Sequence, residues 1–470
     1  MSIQRGLRIR ASSTRCLLVA VAWLLLLPAH AQGSRIVQLA GSNDTTYALR
    51  EDGSVIGWGR HENGQLGSNP NPGHVAHKAR PTLIPLPGRA REIATSGKTG
   101  YALMEDGRLL AWGGGLGLGT GGSAPAAAQG AVADRGASAR RVAGQAQSVA
   151  DHAQRASRGD LGAAASLLGG LFGGKPRAAA PSVAPAPANT PPPADSPNPV
   201  EVPLRGIRHI YAYKDLAIAL MEDGSLRAWG SRSAGRVGDG QAVKRWGESS
   251  APALSPVPVP GAEGITQVSI GDKHVLALRN DGRVLSWGLN ARGQLGRLPT
   301  QEQALDTPEL VDGVSDAVHV AAGDFPVSMV VRRDGSLLVW GSRGMAHFGN
   351  GEADNGRGLW DVNPRPVPGV HKVAQVVVGN LNAIARLQDG TLMGWGNTDW
   401  GNLGLGKKTG FIYSPRQIPL RDVVDVVVQY SRTYAVKADG SLWFMGAGGN
   451  EDWQSPQNSN AVPIRLSLQP

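Results

Sequence analysis

The residues that could do chemistry are few in kind, and they repeat. An aspartate followed by glycine recurs at Asp52, Asp106, Asp223, Asp281, Asp334, Asp389 and Asp439. Carboxylates can serve as general acids and bases, but a residue that returns beside glycine in every structural unit is a turn former, since Asp-Gly tolerates the positive φ of a tight turn. His61, His74 and His77 could approach a metal, yet no helical spacing fixes them on one face. Gly113-Gly114-Gly115-Leu116-Gly117-Leu118-Gly119 has the glycine density of a phosphate loop without the Lys-Ser or Lys-Thr that should follow. No Ser, His and Asp set stands out. The residues therefore predict no catalytic site, no metal site and no cofactor, and the chain reads as a non-catalytic protein. A hydrolase or lyase site assembled from several units is the third reading in order.

The elements that carry these aspartates are seven similar segments: YALREDGSVIGWG, YALMEDGRLLAWG, IALMEDGSLRAWG, LALRNDGRVLSWG, MVVRRDGSLLVWG, IARLQDGTLMGWG and YAVKADGSLWFMG. Their spacings are 54, 117, 58, 53, 55 and 50 residues, so one interval is double length. Each segment predicts a hairpin with a two-residue type I′ turn. That turn sets Tyr47 against Trp58, Tyr101 against Trp112 and Ile218 against Trp229, giving one bulky face per hairpin and one small face, with Ala48 against Gly57. A strand precedes each hairpin, as in residues 265–270 and 423–428, and a proline-marked strand precedes that, as in 81–86 and 415–420. Four-stranded units in radial repetition predict an all-β fold: a seven-bladed β-propeller of antiparallel blades. On this framing the first blade lacks its proline-marked strand, and residues 461–466 are expected to supply it and close the ring.

Trp58-Gly59 through Asn63-Gly64-Gln65-Leu66-Gly67 and Trp287-Gly288 through Arg292-Gly293-Gln294-Leu295-Gly296 resemble the signature of the regulator of chromosome condensation repeat family. The likeness spans nearly all of the chain from residue 32 outside one insertion. It implies a seven-bladed propeller whose faces recognise proteins. Roles in that family include nucleotide exchange on a nuclear GTPase and, among secreted bacterial members, inhibition of β-lactamases. This sequence departs from the pattern in places: the glycine and histidine before the hairpin survive together only as Gly271 and His274, and the last unit has Met445-Gly446.

The ends and the composition bear on where the protein works. Arg5, Arg8, Arg10 and Arg15 precede an apolar run from Cys16 to Leu27, and Ala29-His30-Ala31 follows Pro28. This is the layout of a secretory signal peptide, residues 1–31, with the mature chain expected to begin at Gln32 in a periplasmic or extracellular compartment, bacterial in character. The only cysteine, Cys16, would leave with it, so neither disulfide nor thiolate chemistry is expected. The formal charge of +10 includes those four arginines and falls to +6 without them. Lys244-Arg245, Arg332-Arg333 and Lys407-Lys408 are isolated pairs, not the stripe of a nucleic-acid binder. A monomer with no nucleic-acid partner and no membrane segment beyond the leader is expected.

The long interval holds an insertion after the second blade, residues 122–198, rich in Ala, Gly and Pro and expected to be mobile, with a short helix near 138–155. Among the tryptophans, Trp58, Trp112, Trp229, Trp287, Trp340, Trp395 and Trp443 belong to the repeat and are expected in the core. Trp246, Trp360, Trp400 and Trp453 do not; each follows a hairpin, in the connection that also carries the insertion. Equivalent loops of a propeller open on one side, so these four are the candidate partner-binding residues. The expected role is an exported protein-binding or scaffold propeller, in one version an enzyme inhibitor. The alternative is a carbohydrate-binding propeller, whose loop tryptophans would stack on the sugars of a polysaccharide.

Overall fold

The computed structural model describes residues 34–42, 45–68, 77–120, 195–241, 250–299, 304–353, 360–408, 410–447 and 459–466. They form seven four-stranded antiparallel sheets, each in sequential strand order along the chain except for a long excursion in the second. In blade one the strands are Ile36–Ser42, Thr45–Arg50, Val55–Arg60 and His77–Leu83, running from the ring axis outward. Antiparallel order places the first turn and the third-to-fourth connection of every blade on one face of the ring, here the upper. The Asp-Gly turns and the links between blades lie on the lower face.

The hairpin turn is one residue longer than the sequence suggested. Arg50 N–H bonds Ser54 O at 2.9 Å and Gly53 N–H bonds Arg50 O at 2.9 Å, leaving a three-residue loop that ends on Gly53 at φ 78°. This is a type I turn closed by a left-handed glycine, the usual three-residue hairpin. A Cβ on Gly53 would also lie 2.6 Å from Arg89 Cβ, so conformation and space both select glycine. Asp52 Oδ1 accepts from Ser54 N–H at 2.9 Å and Ser54 Oγ at 2.6 Å, and each of the other six aspartates accepts the N–H two residues on. The recurring carboxylates are thus turn caps.

One extra loop residue flips every pairing to the other face. Tyr47 stands opposite Gly57, not Trp58, and Trp58 stands opposite Thr46; likewise Trp112 faces Gly100 and Trp229 faces Ala217. Each face therefore carries large beside small, instead of one bulky and one small face. The consequence is interdigitation between blades: Trp112 meets Tyr47 of the preceding blade edge to face at 5.5 Å, and Trp229 meets Tyr101 at 6.1 Å. The indole N–H of Trp112, Trp229, Trp287, Trp340 and Trp395 donates to a backbone carbonyl in the upper loop of the blade before it, at 2.7–2.9 Å. These tryptophans and Trp58 are buried, whereas Trp443, expected in the core, is half-buried with Lys437 Nζ 5.7 Å from its ring centre.

Closure also differs from expectation. Residues Asn460–Leu466 pair with Leu442–Gly446 as the outermost strand of blade seven, and blade one owns His77–Leu83. The proline-marked strand ends a unit instead of beginning it, so no strand is exchanged between first and last blades. The ring closes through side chains: Leu39 N–H donates to Asp425 Oδ2 at 2.9 Å, and Gln429 Nε2 bonds Thr45 O and Thr46 Oγ1 at 3.2 and 2.9 Å. The insertion leaves blade two after its third strand, Leu109–Gly114, and returns as its fourth, Asp195–Val202. Its last four residues, 195–198, are therefore strand; the rest, with the expected helix near 138–155, lies outside the described residues.

Candidate binding face

The third residue of every inner strand is polar: Gln38, Glu92, His209, Gln267, His319, Gln375 and Asp425. Most of them tie one blade to the next. Gln38 accepts from Ile93 N–H at 2.9 Å and donates to Ile93 O at 3.1 Å; Glu92 accepts from Ile210 N–H at 3.1 Å; Gln267 accepts from Val320 N–H at 3.0 Å. His319 lies between Gln267 Nε2, 2.8 Å from Nδ1, and Val376 O, 3.0 Å from Nε2. A donor on one side and an acceptor on the other require the neutral ring protonated on Nε2, and burial holds its pKa below the usual histidine range. From this belt upward lies a cavity of about 420 Å³ lined by all seven inner strands.

At the upper mouth the polar groups concentrate on blades three to five. Lys214 Nζ stands 3.1 Å from Asp272 Oδ1 and 3.5 Å from Asp324 Oδ2, spanning three blades. Burial raises the Asp324 carboxyl, whereas at Asp272 burial is outweighed by Lys214, Lys273 and Arg236 and the pKa is lowered. Buried Arg236 reaches the same place from the upper loop of blade three, donating to Lys214 O at 3.0 Å; its loss of hydration lowers its own pKa. The backbone under this cluster is unusual: Lys214 and Asp215 have φ 38° and 60°, a two-residue turn in which neither residue is glycine. Non-glycine residues held in the left-handed region each cost on the order of 1 kcal/mol and gather at functional sites. Asp215 lies beside Gly115, where the insertion leaves blade two.

The candidate tryptophans divide. Trp360 is exposed on the upper edge, not in a loop but as the first residue of the outermost strand of blade five, Trp360–Pro366. Trp400 is half-buried in the turn after the third strand of blade six, where Asp399 Oδ1 accepts from Gly410 N–H at 2.9 Å. Trp246 and Trp453 lie outside the described residues. Next to Trp400 an aromatic pair is visible that the sequence reading passed over: Phe411 stacks on Tyr413 at 5.9 Å. Its signal was an i, i+2 aromatic pair on an edge strand. Of the histidines, His61 is buried, with Nδ1 accepting from Leu66 N–H at 3.2 Å and Nε2 3.1 Å from Ser68 Oγ; His77 opens an outer strand and His74 lies outside the described residues. Among the described residues no three His, Cys, Asp or Glu groups are placed to hold a metal ion, and no helix is long and apolar enough to cross a membrane.

The strands define a seven-bladed propeller with charged groups at its upper mouth. Family models described as the regulator of chromosome condensation (RCC1) repeat match residues 36–65 and 265–294, and 52–103 and 281–328, so these stretches are similar to RCC1 repeats. Curated relatives include the probable E3 ubiquitin-protein ligase HERC6 of Homo sapiens, 30% identical over 218 residues, 44% of this chain and 20% of that protein. Another is protein pim1 of Schizosaccharomyces pombe, 25% identical over 268 residues, 53% of this chain and 48% of that protein. The chain thus spans a fifth to about half of these relatives. Yeast RCC1 (Prp20) bound to Kap60 superposes with a TM-score of 0.59 at 21% identity, over 84% of this chain and 77% of that one. Human WBSCR16 gives 0.59 at 16% identity over 91% and 94%. At these identities the structures attest the fold.

Proposed function

We propose that the protein is an exported, non-catalytic binding propeller that takes a protein partner on its upper face. One observation carries this reading: exposed Trp360 at the upper end of its edge strand, half-buried Trp400, the connection between Gly114 and Asp195 and the Lys214–Asp272–Asp324 cluster all lie toward that face. Aromatic anchors beside fixed charge are what a protein interface concentrates. In sequence Trp246 and Trp453 fall in equivalent connections, outside the described residues. Yeast Prp20, which shares the fold, is described in one structure bound to Kap60 and in another with binding to Gsp1p and histones. Inhibition of an enzyme outside the inner membrane is one specific form of this role. A second reading, binding of a polysaccharide, is favoured by the Phe411–Tyr413 stack, a flat aromatic surface beside Trp400.

The test is a photo-crosslinking residue placed at 360 and, as control, at Arg283 in a lower-face turn. Adduct to one protein from position 360 alone supports the reading; adduct only from 283, or adduct from neither, overturns it. For export, intact mass of protein from its own host should match a chain beginning at Gln32, and a mass retaining residues 1–31 would sink that part.

A further inference from the structure

The lower mouth of the channel is segregated by chemistry, and the device that exposes it is a repeated backbone irregularity. Every inner strand has a bulge at its second residue, where pairing with the neighbouring strand skips one position. A bulge leaves its extra residue unpaired and re-aims its side chain. On blades five, six, seven and one that residue is Val318, Ala374, Val424 and Val37; the three valines are each about half exposed, far above the rest of their strands. On blades two and three it is Arg91 and Arg208, both exposed and without an ion pair among the described residues, although Arg91 Nη2 donates to Ile207 O at 2.6 Å. Blade four has Thr266.

In a ring of seven, blades two and three stand across the opening from blade six and its neighbours. The mouth therefore has an apolar crescent on one side and two guanidinium groups on the other. Glu92, one carboxylate against two guanidinium groups, leaves the pair in positive excess, and it accepts from Ile210 N–H with His209 Nδ1 3.0 Å from its other oxygen. We propose that this mouth binds a free single-chain alkyl carboxylate, with the carboxylate at Arg91 and Arg208 and the chain lying over Val318, Ala374 and Val424. Guanidinium matches a carboxylate in charge and hydrogen-bonding geometry. Covering half-exposed valines is worth about 25 cal/mol per Å² of apolar surface, so chain and head group both contribute. The site lies on the face opposite the one assigned to the protein partner and does not depend on that assignment.

The experiment titrates octanoate and 1-octanol into the full chain labelled at valine methyls, at constant ionic strength. Octanoate should shift the resonances of Val37, Val318 and Val424, identified by Val→Ser variants, and 1-octanol should bind about tenfold more weakly for want of the charge. Arg208→Glu should weaken octanoate by about tenfold and Val318→Ser by about fivefold, both at exposed positions that leave the melting temperature unchanged. The proposal fails if octanoate leaves these methyls unmoved, if 1-octanol binds equally well, or if Arg208→Glu has no effect. Binding to phosphatidylglycerol vesicles without binding to octanoate would also overturn it, and would assign the mouth to a membrane surface.

Discussion

Trp58 and Tyr434, 376 residues apart, meet edge to face with ring centres 5.7 Å apart and planes at 73°, the indole N–H 3.4 Å from the phenol oxygen. This contact between the first and last blades has the geometry that Tyr47 and Trp112 use between blades one and two. The ring is thus sealed by the same packing that joins its other members, and closure needs no shared strand.

Replacing Trp58 by alanine should remove that seal and leave a cavity, at a cost of about 3–5 kcal/mol. Trp443 belongs to the equivalent hairpin of blade seven but is half-buried, its N–H satisfied by Ser441 Oγ at 3.0 Å. Trp443→Ala should cost about 1 kcal/mol or less. Urea unfolding of both variants checks the ordering; equal losses would mean that the closing contact is not special.

Because every blade is built from consecutive strands, the chain can be cut between blades without splitting a sheet. A permutant that joins residue 466 to residue 36 by about six residues, a common length for such links, and opens at Asp312-Gly313 should fold with nearly the parent melting temperature. Opening at Asp281-Gly282 instead divides a hairpin of blade four and should lower it clearly. Circular dichroism melts of the two permutants separate these outcomes, and equal melting would argue that blades are not the cooperative units.

Seven hairpins were legible because Asp-Gly recurs in all of them, followed in six by Trp-Gly at a fixed distance. Turn length was not, since glycine at positive φ closes both the two-residue and the three-residue hairpin; the choice rests on the backbone bond from Gly53 to Arg50. Nor was the strand frame, because a proline-marked strand between two hairpins can be assigned to either. The polar belt was missed although it leaves a trace: a polar residue lies fourteen positions before the turn aspartate in six repeats and fifteen in the fifth, as Gln38 does before Asp52. Its residue type changes from Gln to Glu, His and Asp, so identity alone hides it. At the binding face, Trp360 was named but put in a loop, while Lys214, Asp272 and Asp324 come from three repeats and meet only in the ring.

Stability should fall below neutral pH. His274 is fully buried, its Nε2 2.9 Å from Ser328 Oγ, whose proton goes to Gln294 O at 2.7 Å. Burial pushes its pKa down to about 3, and that of His347 to about 4. A folded-state pKa below the unfolded one means that the unfolded chain takes up the proton first. The stability is therefore whole above pH 6.5 and is lost as pH falls toward the folded values. Each such histidine should contribute a slope of up to about 1.4 kcal/mol per pH unit in that window. Asn382 fills the equivalent place in blade six, so His274→Asn is a compatible change and should flatten the slope measured by urea unfolding between pH 7 and 4. An unchanged slope would show that His274 does not titrate on unfolding.

The upper face is tested most directly at Trp360, because its exposure separates binding from folding. It is 41% exposed at the start of an edge strand, opposite Ser342. Truncation to alanine should thus leave the melting temperature within about 1 °C, in keeping with the small effects of surface changes. If the residue anchors a partner, the same change should cost about 2 kcal/mol of binding, more than tenfold in affinity. Trp400, half-buried beside the Asp399–Gly410 bond, should lose both stability and affinity when truncated. Lys214→Met supplies the electrostatic counterpart: it strands Asp324 beside Asp272 without their shared cation, and should change the salt dependence of association more than the melting temperature. Affinities measured against the protein crosslinked from position 360 decide the matter. Full affinity in Trp360→Ala together with full affinity in Lys214→Met would place the partner elsewhere on the ring.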